Sequence, residues 1–552
     1  MRSLNGFAAM LIGVLAAAPV GAQQPTIEDL MKKIDALQHR VDELEHSQRT
    51  SAAPATPARR TATGPAVTPA KPQIAAAAPP LAAAPPPATP SQPPGAEAKT
   101  ASTASPFGNT VPGLLPPEPM GHPWEDALAS DLPGIAIRVP GTDTQVRLYG
   151  WAKLSAYGDL TARNQTDTPP VQTIPLANSA QAMQGGDFGM TARFSRVGFD
   201  TRTLTSWGTL ETRIEGDFGG GTATGGNNTF RLRQAWGELG DEKLRVLIGQ
   251  ANSLWNEGVF ETLIDATNLN QSFVRQAQVR VTGRLAPGLT GMASLEAPNT
   301  QYTSVSGVFS PDSSFTGSPS PAFDGAPDML GRLTYRNDGL VLDLRGLLRL
   351  LSIRTSGTMA APPAQTDNTV GWGLSPMVRI PMRWLADSFG ADELVGMAYY
   401  GEGIGRYFPG NTSGQDLLTN LDQPGAIGGY RVDPLASYGA TLAYRRFWTP
   451  QLRSNFSLAY ARNNYPSYAL GFAPGSSSAV FLNREMQQAF VNLIWSPFGD
   501  IRDGTFGAGW LDVGVEYLYS RRDLFGGSPA AGSAGTGLGV ANRIVAAAIA
   551  RF

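Results

Sequence analysis

The chain contains no cysteine, which excludes disulfides, thiol nucleophiles and thiolate metal sites. Histidine is almost as scarce. The three histidines, His39, His46 and His122, all precede the segment that reads as folded, so a Ser-His hydrolase has no imidazole base there. His122 has no companion ligands, and no metal, cofactor or enzymatic activity is expected. Charged residues are few, at 16%. The formal net charge of -2 gives no reason to expect a nucleic-acid partner. Beyond the N-terminus no run of about 18 apolar residues occurs, which argues against a helical membrane protein.

The N-terminus reads as a secretory signal over residues 1–22. Arg2 supplies the charge, Phe7 to Ala18 the apolar core, and Val20-Gly21-Ala22 the cleavage pattern. In residues 23–50, Ile27, Leu30, Ile34, Leu37, Val41 and Leu44 recur at spacings of three and four, the seam of a short coiled coil. Its β-branched and Leu positions lean towards two strands. Residues 51–133 are rich in Ala, Pro, Thr and Ser, and Pro85-Pro86-Pro87 excludes helix or central strand. This linker is expected to be disordered, with no packed core, and stretched could span on the order of 200 Å.

From about residue 134 to 552 the period becomes two. Leu148, Gly150, Ala152 and Leu154 alternate with Arg147, Tyr149, Trp151 and Lys153. Leu340, Leu342 and Leu344 alternate with Val341, Asp343 and Arg345. Ile544, Ala546, Ala548, Ala550 and Phe552 share one face of a strand ending in an aromatic residue, as outer-membrane barrels do. Short joins near Asp241-Glu242, Asn337–Gly339 and Thr449–Gln451 alternate with long Gly/Ser/Asn-rich joins such as 158–187, 252–272 and 405–433. Sheets that span lipid must close on themselves. The pattern predicts an all-β, transmembrane antiparallel β-barrel of about 16 strands in a bacterial outer membrane, with the N-terminal segment in the periplasm. Tyr335, Tyr460, Trp495, Tyr517 and Tyr519 fall on the oily face near strand ends, as aromatic girdles require.

Charged strand residues must then face a wet interior. Arg193, Arg213, Arg231, Arg233, Arg275, Arg280, Arg332 and Arg345 are the candidates for a pore-lining, anion-binding wall. They could equally neutralise Glu211, Glu215 and Asp217 across the wall and select nothing. Arg193 and Arg196 have opposite parity, so one needs a bulge or strand end to avoid lipid. The join 252–272 carries Trp255, Glu257, Glu261 and Asp265. It either folds inward as a constriction loop or caps the barrel outside.

Several segments resemble the DcaP-like outer-membrane porins. They include Leu148-Tyr149-Gly150-Trp151-Ala152-Lys153, Thr191-Ala192-Arg193-Phe194-Ser195-Arg196 and Phe230-Arg231-Leu232-Arg233-Gln234-Ala235-Trp236-Gly237. Phe273-Val274-Arg275-Gln276 and Val491-Asn492-Leu493-Ile494-Trp495-Ser496-Pro497 continue the resemblance. It implies a homotrimer of barrels, a periplasmic coiled coil and passive uptake of small anions such as dicarboxylates. Arg193, Arg231, Arg233 and Arg275 match its motif positions. The linker is long for the family, and the heptads lean towards two strands where the family implies three. The alternative function is a general, non-selective porin whose helix and linker, residues 23–133, tether it to the cell wall or a periplasmic partner.

Overall fold

The computed structural model describes residues 135–552 apart from residue 165 and segments 221–227, 257–260, 265–267, 305–321, 355–365, 409–414, 421–430, 472–481, 503–506 and 527–536. The expected signal, coiled-coil helix and linker lie outside the described residues, as do Glu257 and Asp265.

Alternating side chains produce strands throughout. The first eleven are β1 (Ile135–Arg138), β2 (Thr144–Asp159), β3 (Asp187–Thr191), β4 (Arg196–Thr205), β5 (Gly208–Gly220), β6 (Thr229–Gly240), β7 (Leu244–Asn252), β8 (Arg275–Ala286), β9 (Leu289–Glu296), β10 (Tyr302–Ser304) and β11 (Ala322–Phe323). The rest are β12 (Asp328–Asn337), β13 (Leu340–Arg354), β14 (Thr366–Pro381), β15 (Glu393–Glu402), β16 (Leu417–Asn420), β17 (Arg431–Pro434), β18 (Ala436–Phe447), β19 (Leu452–Asn464), β20 (Asn483–Trp495), β21 (Leu511–Leu524) and β22 (Leu538–Arg551). No α-helix occurs among the described residues.

Sixteen strands close into an antiparallel barrel: β2, β4 to β9, β12 to β15 and β18 to β22. Each pairs with its neighbours in this order, and β22 returns to β2 through Trp151↔Arg551 to Asp159↔Arg543. Closure leaves the barrel wall no unpaired edge, the condition for a sheet in lipid. The strand number matches the sequence reading.

Two strands finish the seam. β3 continues the line of β4 along β2, pairing at Ser155 to Asp159 where β4 pairs at Thr144 to Trp151. On the opposite edge of β2, β22 covers Trp151 to Asp159 and β1 covers Gln145 to Leu148. Between these two, Gly150 and Phe552 exchange backbone hydrogen bonds of 3.1 Å.

Short turns lie at one end and long joins at the other. The β12–β13 turn is Asp338-Gly339, with φ of 45° and 84°. Asp-Gly suits such a turn because its mirror-image geometry matches strand twist. The β14–β15 join is longer because short 3-10 helices at Met382–Trp384 and Asp387–Phe389 fill it.

Register fixes the two faces. Paired positions across β12, β13 and β14 place Leu333, Leu342, Leu344 and Val378 outward, and Thr334, Asp343, Arg345 and Met377 inward. Leu344 is 45% exposed, whereas Asp343 is buried. Leu458, Ile214, Val281 and Val515 likewise show apolar side chains outside. Tyr335, Tyr460, Trp495, Tyr517, Tyr519 and Phe552 have the outward register expected of them. At the long-join end β10, β16 and β17 form a separate small sheet, in which β10 and β16 run parallel.

Candidate functional site

The join between β7 and β8 folds across the barrel interior. At its base Leu254 N donates to Glu296 Oε1 on β9 at 2.9 Å, and Ser272 Oγ donates to Asn256 Oδ1 at 2.7 Å. Trp255 is fully buried against Tyr407 and Phe408, with ring centroids 6.1 and 5.9 Å away. Its carbonyl accepts from Arg345 Nη1 at 2.8 Å, and the carbonyl of Asn256 accepts from Arg332 Nη1 at 3.2 Å.

Further along, the segment reaches the opposite wall. Glu261 accepts from Arg453 Nε at 2.9 Å and Nη2 at 2.5 Å, and from Asn455 Nδ2 at 3.2 Å. Burial favours the neutral form of Glu261, but the bonds and charge of Arg453, with help from Arg445 and Asn455, outweigh it and hold the carboxyl down to about 2. Thr262 Oγ1 and Leu263 N both donate to Glu516 on β21, at 2.7 and 2.9 Å. Lys153 Nζ, from β2, donates to Leu263 O at 2.8 Å. Leu269 N meets Gln488 Oε1 at 2.7 Å, and Asn270 Nδ2 donates to the carbonyls of Ala440 and Tyr460 at 2.9 Å. Asn270 has φ 65°, a left-handed conformation that Asn tolerates better than most residues.

The arginines expected on the wall fall into three groups. Arg213 and Arg147 share Asp200, Arg213 Nε at 2.7 Å. Arg332 and Arg345 share Asp343, at 2.6 and 3.0 Å. Arg345 is only 1% exposed, sealed beneath Trp255. It braces the loop, a placement different from the solute-facing one expected from its strand parity. Arg280 bonds Gln278 Oε1 and the carbonyl of Asn252 and has no carboxylate partner among the described residues.

The third group lies on β4 to β8. Arg231 Nε meets Asp217 at 2.6 Å and Arg233 Nη1 meets the same carboxylate at 2.5 Å. Glu215 takes Arg196 at 3.0 Å and Arg233 at 3.5 Å, and accepts from Tyr149. Arg231 and Arg233 share one face of β6, and the register brings Gln234 to that face as well. Glu215 faces Gln234 but Gly216 faces Leu232, so Arg233 is the extra residue of a bulge. Arg275 lies within Coulombic reach of Arg233, Arg196, Arg231 and Asp217 and makes no side-chain hydrogen bond or ion pair among the described residues. It opens β8, where strict alternation does not bind it. Four guanidiniums thus surround two carboxylates.

Arg193 solves its parity conflict by falling in the break between β3 and β4. It pairs there with Asp167, while Arg196 points inward from β4 opposite Asp217.

Residues 135–308 match the family model described as DcaP outer membrane protein. The resemblance read from the sequence is thereby shown over the first part of the barrel. Among solved structures, the outer membrane channel DcaP of Acinetobacter baumannii aligns with a TM-score of 0.55 and 20% identity, covering 74% of this chain and 97% of that one. The two share the fold. The anion-selective porin of Comamonas acidovorans aligns with a TM-score of 0.45 and 11% identity, covering 74% of this chain and all of that one. OmpT of Vibrio cholerae aligns with a TM-score of 0.41 and 10% identity, covering 75% and 99%. No curated protein matches. The DcaP family match and the closed barrel support an outer-membrane channel, facing lipid with its apolar exterior.

The sequence offered Glu215 and Asp217 as partners, and both meet arginines here, but it did not offer the rest. Asp167 and Asp200 gave no signal, because which carboxylate meets which arginine depends on strand order and on where the long joins lie.

Proposed function

We propose that the protein is an outer-membrane pore through which small hydrophilic solutes diffuse passively, with a preference for anions such as dicarboxylates. One observation carries this reading: Arg196, Arg231, Arg233 and Arg275 surround Glu215 and Asp217, a surplus of two positive charges on one stretch of wall. Such a surplus inside low-dielectric walls attracts anions by focusing the field. The described residues of the inward loop, 253–256, 261–264 and 268–274, narrow the passage, with Trp255 as anchor and Glu261 neutralised by Arg453. Arg213, Arg332 and Arg345 serve chiefly as braces. The assembly is a homotrimer in outer-membrane lipid, with residues 23–133 on the periplasmic side and free to contact the cell wall.

A second reading draws on a different observation. Arg213, Arg332 and Arg345 each hold a wall carboxylate shared with a second arginine, and a wall whose arginines are occupied in this way suits a non-selective porin. Reversal potentials in planar bilayers under a KCl gradient decide between them. The anion reading expects an anion-selective channel whose preference falls when Arg231 and Arg233 are both replaced by alanine. A cation-selective channel, or a double variant with unchanged selectivity, rejects it.

A further inference from the structure

We propose that Asp167 is a resident counter-carboxylate. It occupies the place on Arg193 that a carboxylate solute would take and so limits the anion preference of the channel. The proposal rests on the anion-pore reading above.

Most inward arginines draw their carboxylates from the wall itself. Asp200 lies on β4, Asp217 on β5 and Asp343 on β13. Arg193, like Arg453 with Glu261, takes its partner from a join, here the one between β2 and β3. Arg193 Nε meets Asp167 Oδ2 at 2.5 Å, and Nη2 meets Oδ1 at 2.6 Å. Two parallel bonds are the geometry in which a guanidinium takes any free carboxylate. The Asp167 carboxylate has no other hydrogen-bond partner among the described residues.

Arg193 also adjoins the four-arginine group. Its Nη1 reaches the carbonyl of Gly219 at 3.5 Å. A Cβ on Gly219 would lie 2.7 Å from Arg231 Nη2. With Asp167 in place, five guanidiniums face three carboxylates. Withdrawing Asp167 raises the surplus from two charges to three and opens a bidentate seat.

The segment does not depend on this pair alone. Arg543 Nη1 donates to Thr166 O at 2.6 Å, and Asn483 Nδ2 donates to Gln172 O at 3.4 Å. Val171 is fully buried against Leu269 and Met486. The Asp167 carboxylate can therefore yield its place while its backbone stays anchored.

The test uses the full-length protein in planar bilayers, with malonate as the probe. In Asp167→Asn the anion-to-cation permeability ratio should rise about two-fold, and malonate should reduce chloride current at a several-fold lower concentration. The double variant Asp167→Asn with Arg193→Gln should return both readouts towards wild type. A conducting Asp167→Asn channel with unchanged ratio and unchanged malonate sensitivity shows a structural clamp only and overturns the proposal. Should that variant fail to insert, Arg193→Gln alone decides: lowered anion preference supports the proposal, and no change overturns it. The wild-type reversal potential tests the anion reading separately, since this inference concerns the difference between variants.

Discussion

Arg345 Nη1 donates to the carbonyl of Trp255 at 2.8 Å while the same guanidinium sits 3.0 Å from Asp343, so one side chain joins the β13 wall to the inward loop. Both charged groups are buried. Asp343 keeps Arg332 at 2.6 Å when Arg345 is removed, so the cost stays below the ~3–5 kcal/mol of an uncompensated buried charge and falls mainly on the loop contact. Arg345→Leu should lower the detergent-solubilised barrel's thermal midpoint and give noisier open-channel current. Arg345→Lys should not restore either property, since an ammonium lacks the planar fork. Wild-type thermal and current traces in the Leu variant would contradict the brace.

Trp255 should act as the loop's anchor. It is fully buried among Tyr407, Phe408 and Ile404. Replacing a buried Trp by Ala costs about 3–5 kcal/mol. That is enough to detach the loop locally while the barrel ladder remains. Trp255→Ala is expected to raise single-channel conductance, with barrel formation on a heat-modifiability gel unaltered.

Glu261 gives the loop an acid limit. Its carboxyl is held down to about 2, below the ordinary 4.5. A lowered carboxyl stabilises the docked loop fully above the ordinary value, and the contribution is lost as pH falls towards the depressed one. Conductance should hold steady from neutrality to about pH 5 and change only in stronger acid. Glu261→Gln should show the acid behaviour at neutral pH. A wild-type conductance step near neutrality would remove Glu261 as its cause.

The lipid face can be tested at Leu344, which points outward from β13. Arg there should cost about 2–4 kcal/mol if the position lies near the bilayer midplane. Urea titration of folding into vesicles should report the loss. Asp343→Asn, one residue away and inward, should instead perturb the Arg332–Arg345 contacts and leave lipid insertion intact.

Much of the wall was legible in the alternation itself. Leu342 and Leu344 against Asp343 and Arg345 reveal their faces, because lipid and water impose opposite chemistry on a period of two. Tyr335 and Trp495 mark strand ends for the same reason. Other features follow from contacts too distant to read locally. The inward path of the 253–274 loop depends on Glu516 and Arg453, which lie roughly two hundred residues away. The bulge at Arg233 shows in the sequence only as the adjacent polar pair Arg233-Gln234, which by itself reads equally as a strand end. The short pairing of Ile135–Arg138 with β2 is too brief for periodicity to show.

That short pairing bears on how the cylinder is sealed. Trp151 finds Arg551 across nearly the whole barrel sequence, and Ile135 docks beside the same junction. Contacts so remote along the chain are entropically slow to form. One flank of β2 therefore stays open until β22 docks, while β4 can close the other flank from nearby sequence.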